Sequence, residues 1–228
     1  METLITMKID QLIRSKRRTI ALIIDQDGKL IVRAPLRASM KQIESLVAQK
    51  AGWIQSKQAQ ARTTTARLTP KEYTNGEEFL YLGKPYRLAI VDDAKSPLRL
   101  ADRFYLSRSR LPQAERLFKA WYIAQARSAI AERVQLYAER YGFEYRQVKI
   151  THARTRWGSC SARGSLSFSW RLVMAPMAAI DYVVVHELVH LGEKNHSRRF
   201  WAKVEAILPD YKQQVRWLKA NGFKLRLA

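Results

Sequence analysis

The chain has 228 residues, 47% hydrophobic and 27% charged, which is enough apolar mass for one large or two small cores and too much for disorder throughout. Its one cysteine, Cys160, rules out an internal disulfide and a zinc site built mainly from thiolates, no apolar run approaches the roughly 18 residues of a membrane span, and residues 1–16 lack the apolar core of a signal peptide, so a cytoplasmic location is expected. Lys plus Arg number 41 against 20 Asp plus Glu; the resulting +21 attracts polyanions and is spread along the chain, with 13 basic and 5 acidic residues in 1–70 and 28 and 15 in 71–228.

In chain order, residues 19–24 and 29–34 are β-rich runs around Asp25-Gln26-Asp27-Gly28, which predicts a hairpin. Ser39 is placed to cap a helix running through Ile43, Leu46, Val47, Trp53 and Ile54, with Gly52 weakening its end. Residues 60–70 are polar, end at a proline and read as a loop. Two short strands are expected within 79–91, around Gly83-Lys84-Pro85, and one more within 97–106. After Pro112 the period changes. Residues 113–141 place Leu117, Trp121, Ala124, Ile130, Val134, Tyr137 and Tyr141 on one face of a long amphipathic helix, with Gly142 at its C-terminal cap. Strands are expected at 148–150 and 166–170, and helices at about 177–191, 197–207 and 211–220. The β-rich part comes first and the helix-rich part second, with a boundary near residue 110, so the fold class is α+β.

Three of the four histidines fall in the segment His186-Glu187-Leu188-Val189-His190-Leu191-Gly192-Glu193-Lys194-Asn195-His196. Residues four apart on a helix share a face, so His186 and His190 can grip one tetrahedral zinc through bonds of about 2.0–2.1 Å. Glu187 adjoins the first ligand and can reach a water acidified by the metal to a pKa near 7, taking its proton as general base. His196 points away from that face if the helix continues. Gly192 and Asn195, which tolerate left-handed backbone, would end the helix and return His196 to the metal. The separation of His190 from His196 equals that in metzincins, but the glycine comes one position early. Glu193 or Glu205 is the alternative third ligand, since a carboxylate from a following helix is a known solution.

The segments Thr155-Arg156-Trp157-Gly158-Ser159-Cys160-Ser161, Trp170-Arg171-Leu172-Val173, Ala175-Pro176, Ile180 to Leu188, Asn195-His196-Ser197 and Phe200-Trp201 resemble the YgjP-like metallopeptidase family, also described as predicted metal-dependent hydrolases. Arg14 to Arg18, Trp53-Ile54 and Tyr81 to Tyr86 match as well, so the resemblance spans nearly the whole chain. Ser169 departs from it, standing where the family usually has Asn before the Trp-Arg pair. The resemblance implies a zincin-like metal hydrolase related to the WLM and SprT-like proteases, which act on proteins bound to DNA. Family members have also been linked to nucleoside triphosphate pyrophosphohydrolysis, so the implied substrate is a peptide or a nucleotide. On this reading residues 1–110 form a β-rich part that recognises substrate or covers the cleft, and residues 111–228 form the hydrolase domain with a small sheet.

The other candidates have two readings each. Arg156 can stabilise an oxyanion or phosphate, or it can pair with Asp181 or Glu187 to hold the fold. Trp157 reads as core, Gly158 as a tight turn, and Phe200, Trp201 and Val204 as packing behind the ligand turn. Cys160 is a small buried hydrophobe or a fourth metal ligand. His152 and Tyr182 either join the site or do not. Trp53, Tyr73, Tyr81 and Tyr86 fill a core or stack on bases. The leading expectation is a zinc metallopeptidase with His186, His190 and His196 as ligands, one zinc per chain and Glu187 as base. The alternatives are a metal-dependent nucleoside triphosphate pyrophosphatase, with Arg154, Arg156, Arg163 and Arg171 neutralising phosphate charge, and a basic nucleic-acid-binding protein with structural zinc. No membrane partner is expected, and the oligomeric state is left open.

Overall fold

A computed structural model of the chain describes residues 8–25, 28–66, 70–92 and 96–227. By its contacts the chain divides into two units between residues 69 and 70.

The first unit holds a sheet of β1 (Gln11–Ser15), β2 (Ala21–Ile24) and β3 (Leu30–Pro35), in the order β1-β3-β2. β2 and β3 form the expected antiparallel hairpin, its turn closed by the Gly28 N–H on the Asp25 carbonyl; Gln26 and Asp27 lie outside the described residues. β1 was not foreseen. It runs parallel to β3, anchored where the Asp10 carboxylate accepts the Leu30 N–H at 2.7 Å. Ser39 caps α1 (Met40–Gln49) in a reciprocal capping box with Gln42. The helix breaks at Lys50 and resumes as α2 (Ala51–Ala66). The segment read as a loop is therefore helical through Ala66, since Gln, Ala and Arg are good helix formers; residues 67–69 lie outside the described set. The core of this unit is small: Leu30, Val32, Ala34, Ile43, Val47 and Ile54.

The second unit begins with a sheet in the order β4-β5-β7-β6, formed by β4 (Glu78–Tyr81), β5 (Lys84–Val91), β6 (Leu98–Leu100) and β7 (Phe104–Ser107). The single strand expected over 97–106 is thus a hairpin. α3 (Ala114–Tyr141) crosses this sheet. Its buried spine is Ala114, Phe118, Tyr122, Ala126, Ile130, Val134 and Ala138, joined by Tyr137, while Ala124 and Tyr141, expected on the inner face, are exposed. Steps of four residues turn about 40° each, so the stripe winds around the helix and serves different neighbours along its length. At the N-terminal end Phe118 stacks on Phe79 at 4.1 Å and meets Phe104 at 4.9 Å. This shared core puts the strands of 78–107 in the second unit, whereas the change of sequence pattern had set the boundary near residue 110.

The second sheet, in the order β8-β10-β9, comprises β8 (Gln147–Thr151), β9 (Gly158–Cys160) and β10 (Ser165–Ser169), with β9 as an antiparallel edge strand. A 3-10 segment, Trp170–Met174, leads to α4 (Met177–Val189), which is buried almost all round, as its mostly apolar sequence requires. Asp181 on α4 pairs bidentately with Arg133 on α3 at 2.6 and 2.9 Å, not with Arg156. α5 (Arg198–Ile207), capped by the Ser197 hydroxyl, and α6 (Tyr211–Asn221) complete the unit. Among the described residues no helix is long and apolar enough to cross a membrane.

Candidate metal centre

α4 presents His186 and His190 one turn apart, and the backbone stops being helical just after them. Val189 is the last helical residue and His190 is the cap. The turn that follows uses no left-handed residue at Gly192 or Asn195, contrary to the sequence reading. Instead the helix end tightens: the Leu191 and Gly192 N–H groups donate to Leu188 and Val189, and the Lys194 ammonium donates to the His190 and Leu191 carbonyls at 3.0 and 2.8 Å. The lysine satisfies acceptors that a helix terminus otherwise leaves bare.

The turn carries His196 back over the helix. Its Nε2 lies 3.0 Å from Nε2 of His186 and 3.1 Å from Nε2 of His190, and ligand atoms of all three fall within 4.8 Å of one another. A tetrahedral ion bonded at about 2.05 Å holds its ligands about 3.3 Å apart, close to this spacing. The donor chemistry also fits. Nδ1 of His190 donates to the Glu193 carbonyl at 2.9 Å, which leaves the Nε2 lone pair free to bind. Nδ1 of His186 lies 3.4 Å from the Tyr182 hydroxyl. Burial, and then the neighbouring His190 and His196, lower the His186 pKa to about 4, so this ring is neutral at pH 7. The Phe200 ring backs all three imidazoles at 4.5–4.9 Å.

Glu187 is buried on the same helix beside a cavity of about 200 Å³ lined by Trp157, Gly158, Tyr182, Val183, His186 and itself. Burial pushes its pKa up to about 7, opposed by the charge of Arg156 and by the Cys160 N–H, which donates to it from the edge strand β9. Gly158 lies so close that an added Cβ would be 2.5 Å from the carboxylate oxygen and 2.6 Å from Cγ. The glycine therefore serves close approach, not the tight turn expected from sequence.

A family model for the YgjP-like metallopeptidase domain matches residues 18–221. The chain belongs to this family. No curated protein matches it. The crystal structure of the metallopeptidase zymogen of Pyrococcus abyssi abylysin is similar over 40% of this chain and 93% of its own, with 20% identity and a TM-score of 0.37.

The remaining candidates in this YgjP-like domain separate clearly. Glu193 pairs with Lys203 and Glu205 with Lys212, each at 3.0 Å, and neither joins the histidine group. Cys160 is half-buried, its thiol pKa raised mainly by burial, and it too lies outside the group. Arg156 is exposed, and His152 is exposed with its carbonyl bonded to Arg171. Trp157 both packs on the core and lines the cavity. Sequence reasoning missed Glu193 as a backbone acceptor, Lys194 as a cap, and Tyr211, which stacks between Tyr182 and Trp201 behind the site. A carbonyl acceptor has no residue-type signature; a lysine just past a helix end is a signal that can be read.

Proposed function

We propose that this metallopeptidase-family chain is a zinc peptidase with His186, His190 and His196 as ligands. The observation that carries the reading is the convergence of three Nε2 atoms beside a cavity that buries Glu187. A divalent ion held there supplies Lewis acidity that acidifies water and polarises a scissile carbonyl. Glu187 takes the proton from water and then delivers it to the departing amine, so its carboxylate begins and ends unprotonated. Burial beside the Cys160 N–H fixes its direction, and a pKa displaced toward neutrality suits both transfers. Arg156, whose charge is felt at Glu187, is the residue to which this reading assigns attraction of the developing oxyanion. A peptide or protein is the substrate class this chemistry favours, and a cytoplasmic location accords with the single cysteine.

One test is metal analysis of protein purified without chelator or added metal. One zinc per chain is expected, and H186A should lose it. Full zinc retention by H186A would remove the ligand assignment. Among the described residues no fourth His, Cys, Asp or Glu joins the group, which argues for an open coordination position over a closed structural site. Phosphoanhydride hydrolysis at the same centre is the second reading, supported by the cation at Glu187. Assay of nucleoside triphosphates beside peptides separates the two.

A further inference from the structure

The first unit has a groove of its own, about 340 Å³ in volume and lined by Ile20, Leu22, Leu46, Lys50 and Trp53. Two walls form it. Leu46, Lys50 and Trp53 are four and three residues apart, so they follow one face of α1 and α2 across the break at Lys50. Ile20, just before β2, and Leu22 within it are two apart, the spacing that puts strand residues on one face. Trp53 is 44% exposed, a large apolar surface left facing water. The Gln58 amide donates to the Gly28 carbonyl at 2.9 Å, which ties α2 to the hairpin turn and holds the two walls together.

β2 is also the outer strand of its sheet. Pairing with β3 uses the backbone groups of every second residue; the others face outward, and among the described residues no strand pairs with them. The surroundings are basic. Lys50 lines the groove, and Lys16, Arg17 and Arg18 lead into β2, where Nη2 of Arg17 donates to the Thr19 hydroxyl at 3.5 Å, next to Ile20. Among the described residues no carboxylate pairs with any of these four cations. The acidic residues described in this unit are engaged or turned elsewhere: Asp10 and Asp25 accept the Leu30 and Lys29 N–H groups, and Glu44, two positions before Leu46, lies on another face of α1.

We propose that this groove takes up an extended, acidic segment of a partner protein, which adds a strand to β2, seats an apolar side chain between Leu22 and Trp53, and sets its carboxylates against Lys50 and the Lys16-Arg17-Arg18 run. An open edge beside an apolar groove is the geometry of strand addition: main-chain hydrogen bonds hold the segment, and alternate side chains enter the groove. Charge decides the occupant. A second copy of this chain would bring the same cations edge to edge and is repelled. A nucleic acid would satisfy the cations, but it has no strand-spaced main-chain donors for β2 and no aliphatic side chains for Ile20 and Leu22. An acidic peptide answers the edge, the groove and the cations together. The inference does not depend on the zinc reading.

The probe is a short fluorescein-labelled peptide that alternates Glu and Val, titrated with the full chain at fixed ionic strength and read by anisotropy. Saturable binding is expected, about tenfold tighter or more than that of a Gln–Val or a Glu–Ser version, which lack the charge or the apolar anchor. W53A and K50E change exposed residues and should each weaken it about tenfold. Zinc content of both variants should equal that of wild type, so failure of the groove and failure of the metal site are distinguishable. N-methylation removes main-chain donors from one edge of the peptide. Methylating one alternate set, Glu or Val, should abolish binding and methylating the other should not; equal effects overturn strand addition. Absence of saturable binding, or wild-type affinity in either variant, overturns the proposal. If W53A weakens binding of a single-stranded oligonucleotide and not of the peptide, the groove serves nucleic acid and the proposal falls. A dimer seen by sedimentation in wild type and lost in W53A gives the groove to a second copy and overturns it as well.

Discussion

Glu187 and His186 are neighbours in sequence with displaced pKa values, and in metal-free protein they pull stability in opposite directions. Glu187 moves from 4.5 in the unfolded chain up to about 7, so its contribution is full below pH 4.5 and is lost as pH rises through 7. His186 moves from 6.5 down to about 4, so its contribution is full above pH 6.5 and is lost as pH falls through 4. Between pH 4.5 and 6.5 the two slopes nearly cancel. Denaturant melts of metal-free E187Q should uncover the His186 slope, with stability rising with pH across that window; an unchanged profile would contradict the burial of Glu187. In metal-loaded E187Q, zinc content should stay near wild type while turnover falls about 10²–10⁴-fold, the usual worth of a placed acid–base group. Wild-type turnover would remove Glu187 from the mechanism. At this scale much of the candidate site was legible, because the i, i+4 spacing of His186 and His190 and the offset to His196 are patterns of residue type. The need for glycine at position 158 was not, because it arises from a side chain distant in sequence.

Helix α4 takes its position from contacts that no local pattern announces. The turn between β4 and β5 uses two left-handed residues, Leu82 at φ 48° and Gly83 at φ 79°. Their N–H groups donate to Val173 and Met174, and an added Cβ on Gly83 would lie 2.8 Å from Cα of Pro176, the residue that opens α4. G83A therefore meets both backbone strain and a rigid proline. A loss of about 2 kcal/mol or more is expected in urea unfolding, together with weaker zinc retention; a neutral outcome would mean that the turn does not brace the helix. The strands on either side of this turn were readable from their residues. Their membership of the second unit was not, because the Phe79–Phe104–Phe118 contacts join residues far apart in sequence. The winding spine of α3 was misread for a related reason: one fixed face cannot describe a 28-residue helix that meets several neighbours in turn.

Along the chain, the division at residues 69 and 70 separates a unit with a core of six buried residues from one with a far larger core, and the second unit carries all three histidines of the candidate metal site. Small cores are marginal on their own. A chain of residues 70–228 should accordingly fold and take up one zinc, while residues 1–69 alone should melt at low temperature; loss of zinc binding by the larger piece would make the first unit part of the site. The α+β class was legible from the order of patterns along the chain, whereas the parallel pairing of β1 with β3 depends on register between segments and left no local mark. The ligand turn has one further consequence. His196 is brought to α4 by a segment fastened through Lys194 and the Glu193 carbonyl, against a Phe200 ring already buried in the larger core. Metal uptake then resembles the closing of a finished lock: it should leave far-ultraviolet dichroism unchanged and carry only a small heat-capacity change, unlike a zinc finger, whose metal has to fold the chain that holds it.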